Sequence, residues 1–166
     1  MRKIRFVCLD WGDTLMVDDG PQDRPMWQWP QVKVVDGARE LLAELAGHYP
    51  LCIASNASVS KRGEIERALA RGELLPFITH IFCFSEIGAK KDTPAFWEAV
   101  TRSLGCTTRE IVLLGDSLEQ DVLGPTRHGV QGVWFNPRRA AVPPGIHAVE
   151  RLVDFLPLLQ SIRQAD

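Results

Sequence analysis

Five short apolar runs, at residues 4–9, 51–54, 81–84, 111–114 and 130–135, alternate along the chain with segments whose apolar residues recur at helical spacing. Near-continuous apolar runs of this length suit strands buried on both faces. Strand–helix alternation is the mark of a parallel sheet covered by helices on each side. The expected fold is therefore α/β, in three α/β/α layers around a mostly parallel five-stranded sheet.

The helices between the runs have readable ends. Residues 36–47 form one, with Asp36 as its cap, a stripe of Ala38, Leu41, Leu42 and Leu45, and Gly47 as its stop. A second spans about 59–70, with Ile65 and Leu69 one turn apart. Thr93 and Pro94 open a third as cap and first position, with Phe96, Trp97, Val100 and Leu104 inward and Gly105 at its end. A short helix from about Leu118 should kink or end at Pro125, residues 136–145 read as loop, and residues 154–162 close the chain as a helix.

Length and composition bound the function. A chain of 166 residues with 45% hydrophobic and 24% charged residues fits one globular domain over residues 1–166. Nineteen Lys and Arg against 21 Asp and Glu leave a net charge of −2, so no basic field supports nucleic-acid binding. Cys8, Cys52 and Cys83 sit inside apolar runs without metal-type spacing, as expected of reduced, buried thiols in a cytoplasmic protein. The N-terminal apolar run stops at Asp10, too soon for a signal peptide, and no run approaches a membrane span.

In covered parallel sheets ligands bind beyond the carboxyl ends of the strands. Three such ends carry polar groups: Asp10 on the first run, Ser55 on the second and Asp116 on the fourth, with Lys91 a short loop after the third. Any one of these aspartates alone is an ordinary cap or turn former. Asp10, Asp116 and Asp121 converging on one sheet edge would instead repel each other unless a cation or lysine sat among them. A hard divalent ion such as Mg²⁺ takes oxygen ligands of this kind and keeps positions open for water and phosphate. Ser55 and the groups around Asn56 could donate to phosphate oxygens, and Lys91 could balance their charge.

The ordered set LDWGDTL (9–15), ASN (54–56), GAKKDTP (88–94) and LLGDSLEQD (113–121) resembles the four motifs of the haloacid dehalogenase superfamily. The resemblance covers residues 4 to about 135 and implies a Rossmann-like domain that hydrolyses phosphomonoesters with Mg²⁺. It makes Asp10 the nucleophile that carries an aspartyl-phosphate. Asp10, Asp116 and the Gly12 carbonyl would hold the metal, and Asp121 would support it or orient Lys91. Ser55, Asn56 and Lys91 would bind the phosphoryl group of a phosphorylated small molecule or macromolecule. Lys90 is the alternative to Lys91, and Asp92 stands where the family usually has proline.

Two departures shape the reading. Family phosphatases place an acid–base aspartate two residues after the nucleophile, whereas here that residue is Gly12 and Asp13 follows it. Asp13, or Asp18 or Asp19 beyond it, could take the role; otherwise Asp13 bonds its own turn and the chain is a weakly active or inactive phosphate- and Mg²⁺-binding protein. A third reading is carbon–halogen or carbon–phosphorus cleavage. Against it, the Asp116–Asp121 pair does not suit a metal-free dehalogenase, and the phosphonate enzyme uses a cap lysine. Forty-four residues separate Asp10 from Ser55 and six separate Phe84 from Lys91, too few in either interval for a cap domain. Residues 15–35 can form only a flap, expected to be more mobile than the sheet. Its Trp27 and Trp29 would share one side of an extended strand, either covering the sheet top or forming a contact platform. An uncapped site could also take cover from a second copy in a homo-oligomer.

Overall fold

The apolar run ahead of Asp10 forms β1 (Phe6–Leu9), buried at all four positions, as the centre of a covered parallel sheet requires. Around it lie β2 (Leu51–Ser55), β3 (His80–Cys83), β4 (Ile111–Gly115), β5 (Gln131–Phe135) and β6 (His147–Val149). Their order is β3-β2-β1-β4-β5-β6, and every pairing is parallel. The computed structural model describes residues 3–165, with side chains to residue 162; the ends of the span expected as one domain, 1–166, lie outside the described residues.

β6 corrects the five-strand expectation. It has three residues, paired through Val133↔His147, Trp134↔Ala148 and Phe135↔Val149, and only Val149 is buried. An edge strand this short carries no apolar run of its own and exists because β5 offers it a ladder.

Among the described residues six helices flank the sheet: α1 (Ala38–Ala46), α2 (Arg62–Arg71), α3 (Phe84–Ile87), α4 (Pro94–Leu104), α5 (Gly124–Thr126) and α6 (Phe155–Ala165). Alternation along β1 divides the core. Val7 and Leu9 pack with Leu42 of α1, Ile65 of α2 and Phe155 of α6, while Phe6 and Cys8 face Phe96, Trp97 and Val100 of α4. The result is the expected three layers. Local ends differ in places: α1 starts from Gly37 at φ 81° with no side-chain cap from Asp36, and α2 starts at Arg62 because Glu64 folds back to accept from the Lys61 amide at 2.7 Å. The expected helix from Leu118 is a π-helical turn, Leu118–Leu123, before α5. The four cysteines are free, and Cys8, Cys52 and Cys83 are buried. Among the described residues no helix is long and apolar enough to cross a membrane.

The flap is held against α2. Met26–Gln28 makes one 3₁₀ turn, so Trp27 and Trp29 do not lie along an extended strand. Trp29 is buried and its Nε1 donates to the Pro21 carbonyl at 2.8 Å; Trp27 is half-buried beneath the Arg67 guanidinium, 4.7 Å from its ring. Arg71 donates to the Trp27 and Trp29 carbonyls at 2.8 and 2.5 Å. These indoles cover core, and no exposed aromatic platform forms.

Candidate active site

The strand order reverses direction between β1 and β4, which makes their carboxyl ends the switch point where ligands bind in such sheets. Asp10 follows β1 directly, and its amide donates to the Leu114 carbonyl at 2.9 Å, extending the ladder into the site. Asp116 follows β4 in the same way, with its carbonyl accepting from Trp134 Nε1 at 2.9 Å. Thr14, fully buried, lies between them: its Oγ1 is 3.3 Å from Asp10 Oδ2 and 3.2 Å from Asp116 Oδ1, and it accepts from the Asp116 amide at 3.1 Å. One hydroxyl proton can serve only one of those carboxylates at a time.

Lys91 enters from the loop ahead of α4. Its Nζ donates to Asp10 Oδ1 at 2.8 Å, Asp121 Oδ1 at 2.6 Å and the Ala54 carbonyl at 2.9 Å, using all three ammonium hydrogens. Its backbone is clamped on both sides: the amide donates to Asn56 Oδ1 at 2.9 Å and the carbonyl accepts from Trp97 Nε1 at 2.7 Å. Lys90 is exposed over the Phe84 ring, so the lysine in the cluster is Lys91. Asp121 reaches the cluster from the π-helical turn, where Oδ2 accepts from the Ser117 amide at 2.9 Å. Gly115 makes room for it, since a Cβ there would overlap the Asp121 carboxyl.

Burial pushes Asp116 up to about 8, aided by the hydrogen-bonded Asp10 and by Asp121 and opposed by Thr14. Burial and Asp10 likewise raise Asp121, to about 6, against the pull of Lys91. Burial works against the charge on Lys91, but Asp10 and Asp121 outweigh it and hold the ammonium above its ordinary range. Two of the three carboxylates thus share one lysine, and Asp116 stands outside the pairing.

Carboxylate oxygens of Asp10, Asp116 and Asp121 all lie within 4.8 Å of one another. With Lys91 bound to Asp10 and Asp121, the excess negative charge collects on the Asp10–Asp116 side. All-oxygen donors, three carboxyl groups against one ammonium, fit a hard divalent cation such as Mg²⁺. Gly12, half-buried, belongs to the same loop.

Ser55 ends β2, 2% exposed, and its Oγ accepts from the Ala57 amide at 3.0 Å, leaving its own hydrogen to donate. Asn56 ties the site's loops together, donating to Gln120 Oε1 at 3.3 Å while accepting from Lys91. Asp13 is exposed in a left-handed conformation (φ 57°), and its Oδ1 accepts from the Asp18 amide at 2.9 Å. Asp19 pairs with Lys33 at 2.7 Å. Sequence reasoning assigned no role to Thr14, Trp97 or Trp134. Thr14 was open to notice inside LDWGDTL, whereas both tryptophans read as core because their only polar atom is the one that bonds the site's backbone. A cavity of about 830 Å³ lined by Asp13, Asp116, Trp134 and Arg138 reaches the cluster at Asp116, and a cleft of about 200 Å³ between the flap and the loop after β2 is lined by Trp11, Asp18, Asn56 and Ser58.

Three likenesses accompany this geometry. The chain is 27% identical over 109 residues to the pyrimidine 5'-nucleotidase PynA of Streptococcus pneumoniae, an alignment covering 64% of this chain and 45% of that protein. The chain therefore spans less than half the length of that curated relative. In structure it resembles an uncharacterized protein from Listeria monocytogenes serotype 4b (TM-score 0.84, 22% identity, 97% of this chain and 99% of that one). It also resembles the putative HAD-hydrolase YfnB from Bacillus subtilis, whose structure was determined bound to magnesium (TM-score 0.76, 16% identity, 95% and 99%). The family model for haloacid dehalogenase-like hydrolases matches residues 13–135, most of the chain. With its parallel Rossmann-like sheet and its strand-end carboxylates, this chain belongs to the haloacid dehalogenase-like hydrolase family.

Proposed function

We propose that this chain is a cytoplasmic, Mg²⁺-dependent phosphohydrolase that cleaves a phosphomonoester through an aspartyl-phosphate on Asp10. The observation that carries the reading is the placement of Asp10: one carboxylate oxygen is bound by a buried lysine, and the other lies beside Asp116 and Thr14 at the switch point. A carboxylate held this way keeps a fixed line of attack on phosphorus. The four free thiols accord with a reducing compartment.

Asp10 attacks phosphorus, the bond to the leaving oxygen breaks, and water later releases phosphate from Asp10. Lys91 holds one oxygen of Asp10 in place and offsets charge on the phosphoryl oxygens. Ser55 Oγ and the Asn56 amide donate to those oxygens, and the Asn56 side chain holds Lys91 in place through the lysine's backbone amide. Asp10, Asp116 and the Gly12 carbonyl would hold Mg²⁺, with Asp121 in support. When bound, the ion supplies Lewis-acid stabilisation of phosphoryl charge. The substrate class is a phosphorylated small molecule, in keeping with the nucleotidase relative.

Turnover of a phosphomonoester panel with and without Mg²⁺, by wild type and Asp10→Asn, tests the reading. Mg²⁺-dependent phosphate release that Asp10→Asn abolishes is expected. Wild-type protein that binds Mg²⁺ and phosphate without turnover would overturn it in favour of a non-catalytic binding protein, the reading that Gly12 favours.

A further inference from the structure

Gly12 leaves the site without an acid–base group at the usual position, yet its backbone lies outside the left-handed region and makes no demand for glycine. What occupies the space in front of it is the side chain of Asp18. A Cβ built on Gly12 would meet Asp18 Oδ2 at 3.3 Å, its Cβ at 3.6 Å and its Cγ at 3.7 Å. The flap thus carries a carboxylate into the volume a longer residue 12 would fill.

The placement of Asp18 is built. Its amide donates to Asp13 Oδ1 at 2.9 Å, which closes the turn, and its Oδ1 accepts from Gln22 Nε2 at 3.0 Å, which leaves Oδ2 directed at Gly12. The neighbouring carboxylates are engaged, Asp13 in that turn and Asp19 of the flap with Lys33. Asp18 also lines the 200 Å³ cleft with Trp11, Asn56 and Ser58.

We propose that Asp18 is the proton-transfer residue of this enzyme, with Asp13 as its positioning residue, and that the leaving group of the substrate lies in the cleft between the flap and the loop after β2. The inference rests on the phosphohydrolase reading. In the first half-reaction Asp10 bonds to phosphorus, the bond to the leaving oxygen breaks, and the Asp18 carboxyl proton passes to that oxygen. In the second, water bonds to phosphorus, gives a proton to the Asp18 carboxylate, and the bond to Asp10 breaks. The sum is one water consumed and one alcohol and one phosphate released, with Asp18 again protonated. A cleft of this size suits a small polar leaving group.

The test compares wild type, Asp18→Asn, Asp18→Ala, Asp10→Asn and the double variant Gly12→Asp/Asp18→Ala on an alkyl phosphomonoester and on 4-nitrophenyl phosphate. Both Asp18 variants should lose about 10²–10⁴-fold on the alkyl ester. On 4-nitrophenyl phosphate, whose leaving group needs no proton, they should show a burst of nitrophenol followed by slow turnover as the aspartyl-phosphate accumulates. The double variant should recover at least about tenfold over Asp18→Ala on the alkyl ester. Wild-type rates in both Asp18 variants, with Asp10→Asn inactive, would overturn the assignment while leaving the phosphohydrolase reading intact. Equal losses on both substrates, with neither burst nor recovery in the double variant, would overturn it as well. Absence of turnover by the wild-type protein would overturn both.

Discussion

Lys91 Nζ stands 2.6 Å from Asp121 Oδ1, and both side chains are 1% exposed. A buried pair of this kind contributes little net stability when intact, but removing one partner leaves the other charged and unpaired. Here the lysine also neutralises Asp10, so its loss leaves three carboxylates together.

Lys91→Met should therefore destabilise the metal-free protein by about 3–5 kcal/mol at pH 8. The loss should shrink at pH 5, where Asp121, raised to about 6, and Asp116, raised to about 8, take up protons in place of the missing charge. Urea unfolding at the two pH values measures this; a loss independent of pH would contradict it.

Mg²⁺ should stabilise the protein more at pH 8 than at pH 5. The carboxyls of Asp116 and Asp121 titrate higher in the folded chain than the ordinary value of about 3.9. Between about pH 4 and 8 the folded state thus binds more protons than the unfolded one, and metal-free stability falls as pH rises through that window. A cation that replaces those protons relieves the penalty where it is largest, and a hundredfold excess over Kd adds about 2.7 kcal/mol. Melting scans with and without Mg²⁺ would oppose the metal site if the shift were equal at both pH values or larger at pH 5.

Arg71→Ala should loosen the flap. The guanidinium holds the Trp27, Trp29 and Pro30 carbonyls, and its exposure limits the effect to about 1 kcal/mol. Exchange of the Gln28 and Trp29 amides, which close the 3₁₀ turn, should quicken about fivefold, with the sheet unchanged. Unaltered exchange would mean that Trp29 packing alone holds the segment.

Gly12→Asp should fold, because residue 12 needs no left-handed backbone, but the new carboxylate would crowd Asp18. Two side chains competing for one volume couple by about 1 kcal/mol. A double-mutant cycle with Asp18→Ala should return a coupling of that size, and additive effects would place the two side chains apart.

The alternation of apolar runs and helical stripes determined the layers, since a short continuous apolar run and a period of 3.6 are both written in neighbouring residues. Parallel strands with polar ends also brought Asp10 and Asp116 to one edge, because chain direction is common to all of them. Tertiary structure decided the rest. β6 depends on the free edge of β5, and the choice between Lys91 and Lys90 depends on which side chain lies under Asp10, 81 residues away. Thr14 became a bridge only once Asp116, 102 residues on, was packed beside it. Trp27 and Trp29 turned inward because Arg67 and Arg71 of α2 lie across the flap. Local pattern reports which face of an element is apolar, whereas which distant polar groups meet there depends on how the elements dock, and no short-range period encodes that.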